Sequence, residues 1–274
     1  MSKNKFGICE WVFPVRGPET LYHAKKLGFD GIQITELGGY EAGYPLLKQS
    51  VQSDYKRIAE ETGIEIQALH LWSLCRLACM IHPIGSEAGK IGVESIKAAI
   101  KACTDLDIPV LMITSGFISQ IKNEKDFYNF GQHLKIACEL GGEKGVGIVF
   151  ESALKPEEIL IMIDLVGSNL KICYDIFNPI RFNNGCPKDE IRVLRNDVID
   201  HFHMKDGPEN MIGCSLLGKG SGNYMQTVAE IKKTGYKGWF ITENYYGDYP
   251  LNKLGGFDDL ARADLKTMRE TLGD

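Results

Sequence analysis

The stretch GYKGWFITEN, residues 235–244, holds the pattern that organises the whole chain. A glycine closes a helical segment, a second glycine follows, four apolar or β-branched residues make a strand, and an acid ends it. The same device appears as GFDG at 28–31 and EKGVG at 143–147. Glycine suits a helix end because it reaches the left-handed conformation without a Cβ clash. Working outward, strands are predicted at 6–12, 31–35, 64–70, 109–114, 146–151, 171–175, 198–204 and 238–243. Several are apolar on both faces, as in parallel sheets covered on each side. Between them lie helical patterns at 45–62, 87–106 and 155–166, the first and last opening with proline near the start. Eight βα units predict an α/β fold, a single (β/α)8 barrel occupying residues 1–274 as one domain. A doubly wound sheet is the alternative, but the first turn, EWVFPVRGPE, has no GxGxxG.

Composition narrows the function. The chain is 44% hydrophobic and 24% charged, ordinary for a globular protein. Its 31 basic and 36 acidic residues give a net charge of −5 with no block of like charge, which argues against nucleic acid as a partner. No apolar run is long enough for a membrane span, and the N-terminus shows no signal peptide, so no membrane partner and a cytoplasmic location are expected. The eight cysteines form no CxxC pair and read as small buried hydrophobes in a reducing compartment.

Barrel chemistry sits at the C-terminal ends of the strands. Strand five ends in Glu151 (GIVFES), six in Asp175 (KICYD), seven in His203 (HFHMKDG) and eight in Glu243 (WFITEN). Taken singly, each could be a solvated or structural group. Three carboxylates converging in a half-buried mouth would repel strongly, and a cation removes that penalty. Three oxygens and one imidazole form a mostly hard set. One divalent metal ion is therefore expected, Mn²⁺ favoured, with Mg²⁺, Co²⁺ or Zn²⁺ also compatible. Such an ion could hold a carbonyl and the neighbouring hydroxyl, acidify the C–H between them and stabilise the enediolate. Glu151 and Glu243 could then remove a proton and return it.

The motifs FES, YDxxN, HxHxKD, GxG and ITEN together resemble the xylose-isomerase-like barrel superfamily, the sugar phosphate isomerases and epimerases. The resemblance covers essentially the whole chain, including GFDGIQI and LLGKGSGNY. It implies that Glu151, Asp175, His203 and Glu243 bind a divalent metal and that the two glutamates double as acid/base catalysts. It also implies a metal-dependent sugar epimerase or isomerase acting on a ketose, ketose phosphate or related keto-sugar through a metal-bound enediolate. The partner is then a small-molecule sugar or sugar phosphate, and homo-oligomers are compatible with the sequence.

The departures are specific. Ketohexose 3-epimerases of this group carry a His three residues after the metal Asp, where Asn178 stands, and an Arg six after the metal His, where Glu209 stands. Glu157 matches a further glutamate of theirs but also fits a helix N-terminus. The segment 203–206, HMKD, resembles ketose-phosphate epimerases and inosose dehydratases. Lys205 alternates with His203 and could bind substrate or pair with Asp206 or an acidic ligand. His70, closing strand three, is a candidate substrate contact. Trp11 and Trp72 could wall the apolar face of a sugar or simply pack. The loop 73–86 reads as a lid or subunit contact, and His82 within it has no clear role.

Other readings compete. A lyase of inosose-dehydratase type would use the same enolate and expel a β-hydroxyl. A nuclease of the apurinic-endonuclease type needs further zinc ligands, yet Asn178 replaces a His and MIGCSLLGKG lacks an Asp-x-His. A non-catalytic sugar-binding barrel is the third.

Overall fold

A computed structural model describes residues 3–167, 169–194, 196–209 and 211–273. Eight parallel strands pair in chain order and close into a barrel. They are β1 (Lys5–Cys9), β2 (Gly31–Thr35), β3 (Glu65–His70), β4 (Val110–Ser115), β5 (Gly147–Ser152), β6 (Leu170–Asp175), β7 (Ile199–Met204) and β8 (Trp239–Thr242). The helices in chain order are α1 (Thr20–Leu27), α2 (Gln49–Thr62), α3 (Ser73–Leu77), α4 (Glu87–Leu106), α5 (Glu124–Lys144), α6 (Pro156–Val166), α7 (Asn178–Arg181), α8 (Pro187–Val193), α9 (Tyr224–Thr234) and α10 (Phe257–Leu272). Among the described residues, no helix is long and apolar enough to cross a membrane.

The repeated device works as its residues dictate. Gly28, Gly145 and Gly235 close α1, α5 and α9 with φ of +94°, +72° and +73°, each in the left-handed region. At the opposite ends, Ser86 Oγ accepts from Gly89 N at 3.0 Å and Asn123 Oδ1 from Asp126 N at 3.0 Å, capping α4 and α5.

Residue contacts fall into two compact units. One comprises the chain up to Gln33, Thr62–Glu65, and the chain from Cys173 onward. Within it β8 lies beside β1 with Ile8 opposite Thr242, and β7 beside β8 with His203 opposite Ile241. Side chains alternate along these strands. Phe6, Phe240 and Phe202 stack at 6.1 and 5.5 Å on one face, while His201 and His203, two residues apart, share the other. Gly7 and Gly31 stand opposite each other, and a Cβ on Gly7 would lie 2.5 Å from Ile241 Cδ1. The other unit comprises Ile34–Glu61 and Ile66–Ile172. There β4 and β5 run in register from Val110↔Gly147 to Ser115↔Ser152, setting Thr114 beside Glu151.

Two local expectations change. The first strand ends at Cys9, because Glu10–Val12 turn into a 3-10 helix and the Glu10 carboxylate accepts the Gly17 N–H at 2.7 Å. Segment 73–86 is also no open loop. Its first half folds into α3 and a 3-10 turn, Cys79–Ile81, that bury Leu74, Cys75, Cys79 and Met80. All eight cysteines are unpaired thiols, seven of them buried.

Candidate metal centre

Four strand-end side chains converge. Glu151, Asp175, His203 and Glu243 are all buried, and each offers a ligand atom within 4.8 Å of those of the others. Glu151, Asp175 and His203 lie in the last two residues of β5, β6 and β7, and Glu243 directly follows β8, so each polar group emerges at a strand's C-terminal end.

Around β6, β7 and β8 the contacts are dense. Lys205 Nζ sits 2.7 Å from Asp175 Oδ2 and 2.5 Å from Glu243 Oε2. Nδ1 of His203 is 3.2 Å from the same Glu243 oxygen. Trp11 Nε1 donates to Glu243 Oε1 at 2.8 Å. Asp175 Oδ1 accepts the backbone N–H of Phe177 at 2.7 Å and of Asn178 at 3.3 Å, so Asn178 contributes main chain at the start of α7. Burial works against the charge on Glu243, but the Lys205 ammonium beside it holds its carboxyl well below the usual carboxylate range.

Glu151 is held from its neighbouring strand. Thr114 Oγ1 donates to Glu151 Oε2 at 2.9 Å, so the same hydroxyl accepts from His70 Nε2 at 3.0 Å. His70 thereby reaches Glu151 through Thr114. Trp72, half-buried, packs edge-on against His70 and Phe117 with centroids 5.5 and 5.1 Å away. Glu157 is exposed in the first turn of α6 and is not part of the four-residue group. His82 is not part of it either.

The donor set fits a divalent ion. Three buried carboxylates against one ammonium leave a net charge of −2 in a low-dielectric site, which is costly unless matched. Oε2 of Glu243 is buried and makes no aligned hydrogen bond. Lys205 supplies part of the compensation, and it is the ion pair with Asp175 and Glu243, not with Asp206, that the geometry contains.

Asp206 has a different task. Its carboxylate accepts the N–H groups of Gly207, Gly218, Gly220 and Gly222 at 2.9–3.0 Å, gathering the loop 216–224 around one buried anion. Burial pushes its pKa up against these bonds. Asn244 Oδ1 accepts the Asp206 N–H at 2.9 Å, and its amide donates to Asp264 Oδ2 at 2.7 Å, tying the loop to α10.

Sequence reasoning missed several of these residues. Glu36 follows β2 as Glu243 follows β8, and it accepts the N–H groups of Trp72 at 2.8 Å and Ser73 at 2.5 Å. Burial raises its pKa. Glu10 follows β1 in the same way. The strand-end acid signal applies to both, but backbone donors satisfy them. Gln33 and Thr114 carried a weaker signal, a polar residue inside an apolar strand.

The model of the family described as xylose isomerase-like TIM barrel matches residues 21–271. A curated relative, 2-epi-5-epi-valiolone 7-phosphate 2-epimerase of Actinoplanes sp., is 26% identical over 268 residues, covering 97% of this chain and 93% of its own. Among solved structures, D-psicose 3-epimerase with D-tagatose from Clostridium cellulolyticum H10 superposes with a TM-score of 0.78 at 15% identity, covering 98% of this chain and 100% of that one. The IolI protein with a bound zinc atom gives a TM-score of 0.75 at 15% identity, covering 98% of both chains.

Proposed function

The chain belongs to the xylose isomerase-like TIM barrel family, and from that premise we propose that it is a divalent-metal-dependent epimerase of a keto-sugar or keto-cyclitol, working as a single barrel domain. The observation that carries this reading is the buried convergence of Glu151, Asp175, His203 and Glu243. These four residues would hold the ion, Mn²⁺ favoured for a set rich in carboxylate oxygen. When bound, the ion supplies Lewis-acid polarisation of the substrate carbonyl.

The chain's own groups then move the proton. Glu243, kept ionised beside Lys205, accepts it from the carbon beside the carbonyl. Glu151, oriented by the Thr114 hydroxyl and protonated at the start of this direction, returns its proton to the opposite face of the same carbon, leaving Glu243 protonated and Glu151 ionised. Trp11 fixes the Glu243 carboxylate from its outer oxygen. Lys205, His70 and Trp72 are the proposed substrate-facing groups, with Asn178 at the edge.

Substrate class follows from two supports. Asn178 and Glu209 occupy the positions where similar ketohexose 3-epimerases carry His and Arg, which moves the reading away from a free ketohexose. The relative from Actinoplanes acts on a cyclitol phosphate, which favours a phosphorylated keto-cyclitol or ketose phosphate. Eight unpaired thiols agree with a reducing, cytoplasmic setting. A lyase using the same proton abstraction is the second reading, favoured by the HMKD segment around Lys205.

The test is direct. Chelator-stripped protein is given Mn²⁺ and a panel of ketoses, ketose phosphates and keto-cyclitol phosphates, and NMR follows the products. A metal-dependent epimer supports the proposal. Metal-dependent loss of water with an unsaturated product supports the lyase, and no conversion of any compound contradicts both.

A further inference from the structure

Beneath the four-residue group runs a line of buried polar side chains. Gln33 of β2 lies between the two histidines of β7. Its Nε2 is 2.8 Å from His201 Nε2, and its Oε1 is 2.8 Å from His203 Nε2. Further down, His201 Nδ1 is 2.8 Å from Asp200 Oδ1. Cys9, which faces Gln33 across the β1–β2 register, points its thiol at the same Oε1 at 3.6 Å. Gln33, His201 and His203 have no solvent exposure.

With His201 neutral and paired to Asp200, the donors and acceptors in this line run in one direction. The Asp200 carboxylate only accepts, so Nδ1 of His201 carries a proton. Nε2 of neutral His201 is then an acceptor, and the Gln33 amide nitrogen donates to it. That turns Oε1 of Gln33 toward His203 and Cys9, where it accepts from Nε2–H and from the thiol. Once Nε2 of His203 carries the proton, its lone pair is on Nδ1, the atom facing Glu243 Oε2 at 3.2 Å. Two acceptors so placed repel unless a cation or a second proton lies between them.

We infer that Gln33 is a positioning residue that fixes the His203 tautomer, so that Nδ1 is the nitrogen presented to the divalent ion. The inference rests on the proposed ligand role of His203. Gln33 touches neither substrate nor ion and acts through the imidazole it orients, as outer groups of metal-bound histidines generally do. Asp200, at the other end of the line, sets the direction in which every hydrogen bond runs. A glutamine serves where a carboxylate is the commoner partner, because a fourth buried anion would add to the charge already gathered there.

Two readouts test this. The first needs no variant: [¹⁵N]histidine-labelled, metal-free protein, with His203 identified by loss of its signals in His203→Asn, is observed by two-bond ¹H–¹⁵N correlation above the imidazole titration. The expected result is protonated Nε2 and unprotonated Nδ1; protonated Nδ1 overturns the inference. The second is calorimetric Mn²⁺ and Zn²⁺ binding. Gln33→Met, close in volume but lacking the acceptor, should weaken binding about 10- to 100-fold, and Gln33→Glu, which keeps the acceptor toward His203 and adds a charge that a divalent ion offsets, should bind no more weakly than wild type. Equal loss in both variants, or none in Gln33→Met, overturns it. Failure of the wild type to bind any ion would overturn the ligand reading itself, while the tautomer result would still decide the role of Gln33.

Discussion

Lys205 Nζ lies 2.7 Å from Asp175 Oδ2, both groups buried, so the proposed metal site already contains one fixed positive charge. The ammonium partly neutralises carboxylates that a divalent ion would share. Replacing it in Lys205→Met leaves buried anions uncompensated, which costs about 3–5 kcal/mol in the metal-free protein. Saturating Mn²⁺ should recover much of that loss, because binding to the folded state alone stabilises it. Thermal melts with chelator and with Mn²⁺ should therefore show a larger metal-induced rise in Tm for the variant than for wild type. Equal rises would contradict this balance.

Trp11 makes a specific contribution through its indole N–H. Trp11→Phe keeps the ring but removes the 2.8 Å bond to Glu243 Oε1. A hydrogen bond to a charged group is worth about 1.5–3 kcal/mol. On the proposed chemistry, kcat should fall about 10- to 100-fold with KM little changed. If Trp11 instead walls the substrate, KM will rise and kcat will hold.

Thr114 links His70 to Glu151, and the two possible substitutions separate hydroxyl from shape. Thr114→Val should lose turnover by about tenfold or more, as expected for one lost charge-assisted bond. Thr114→Ser should retain it. Equal activity in the two variants would show that the Thr114 hydroxyl does not orient Glu151 for proton transfer.

Asp264 of α10 gives a pH signature in stability. Burial raises its pKa to about 6 even though Asn244, the Leu217 N–H and Tyr246 all donate to it. The folded state therefore holds this proton above the pH at which the unfolded chain, near 3.8, releases it. Its stabilising contribution is complete below the unfolded value and is lost as pH rises through about 6. Holding the proton across that interval is worth about 3 kcal/mol. Denaturant titrations should show wild type losing roughly that much relative to Asp264→Asn as pH rises through this window. A pH-independent gap would contradict it.

Much of the barrel was legible because one short device repeats. Glycine after a helix, an apolar strand and a terminal polar group mark β5 and β8 to within a residue. The clustering of Glu151, Asp175, His203 and Glu243 was legible for the same reason, since their positions follow from strand ends alone. What these acids meet was not legible. Glu10 and Glu36 carry the same local signature as Glu243, yet they accept backbone N–H groups from Gly17, Trp72 and Ser73, partners that only the folded chain brings near. Lys205 likewise read as a substrate contact, a partner of its neighbour Asp206 or a partner of an acidic ligand. Asp206 is instead occupied by four glycine N–H groups, and the lysine turns to Asp175 and Glu243. Gln33 showed only as one polar residue in GIQIT. Its meaning depends on β1 and β7.

The central claim is proton transfer by Glu151 and Glu243 beside a bound ion, and solvent isotope exchange tests it most directly. Mn²⁺-loaded protein is incubated in D₂O with the keto-sugar or keto-cyclitol phosphate that it converts, and recovered material is read by NMR. Deuterium is expected at the carbon that inverts, absent in chelator-treated protein and lost in Glu151→Gln and Glu243→Gln. Conversion without deuterium, or full turnover in Glu151→Gln, would contradict the proposed roles.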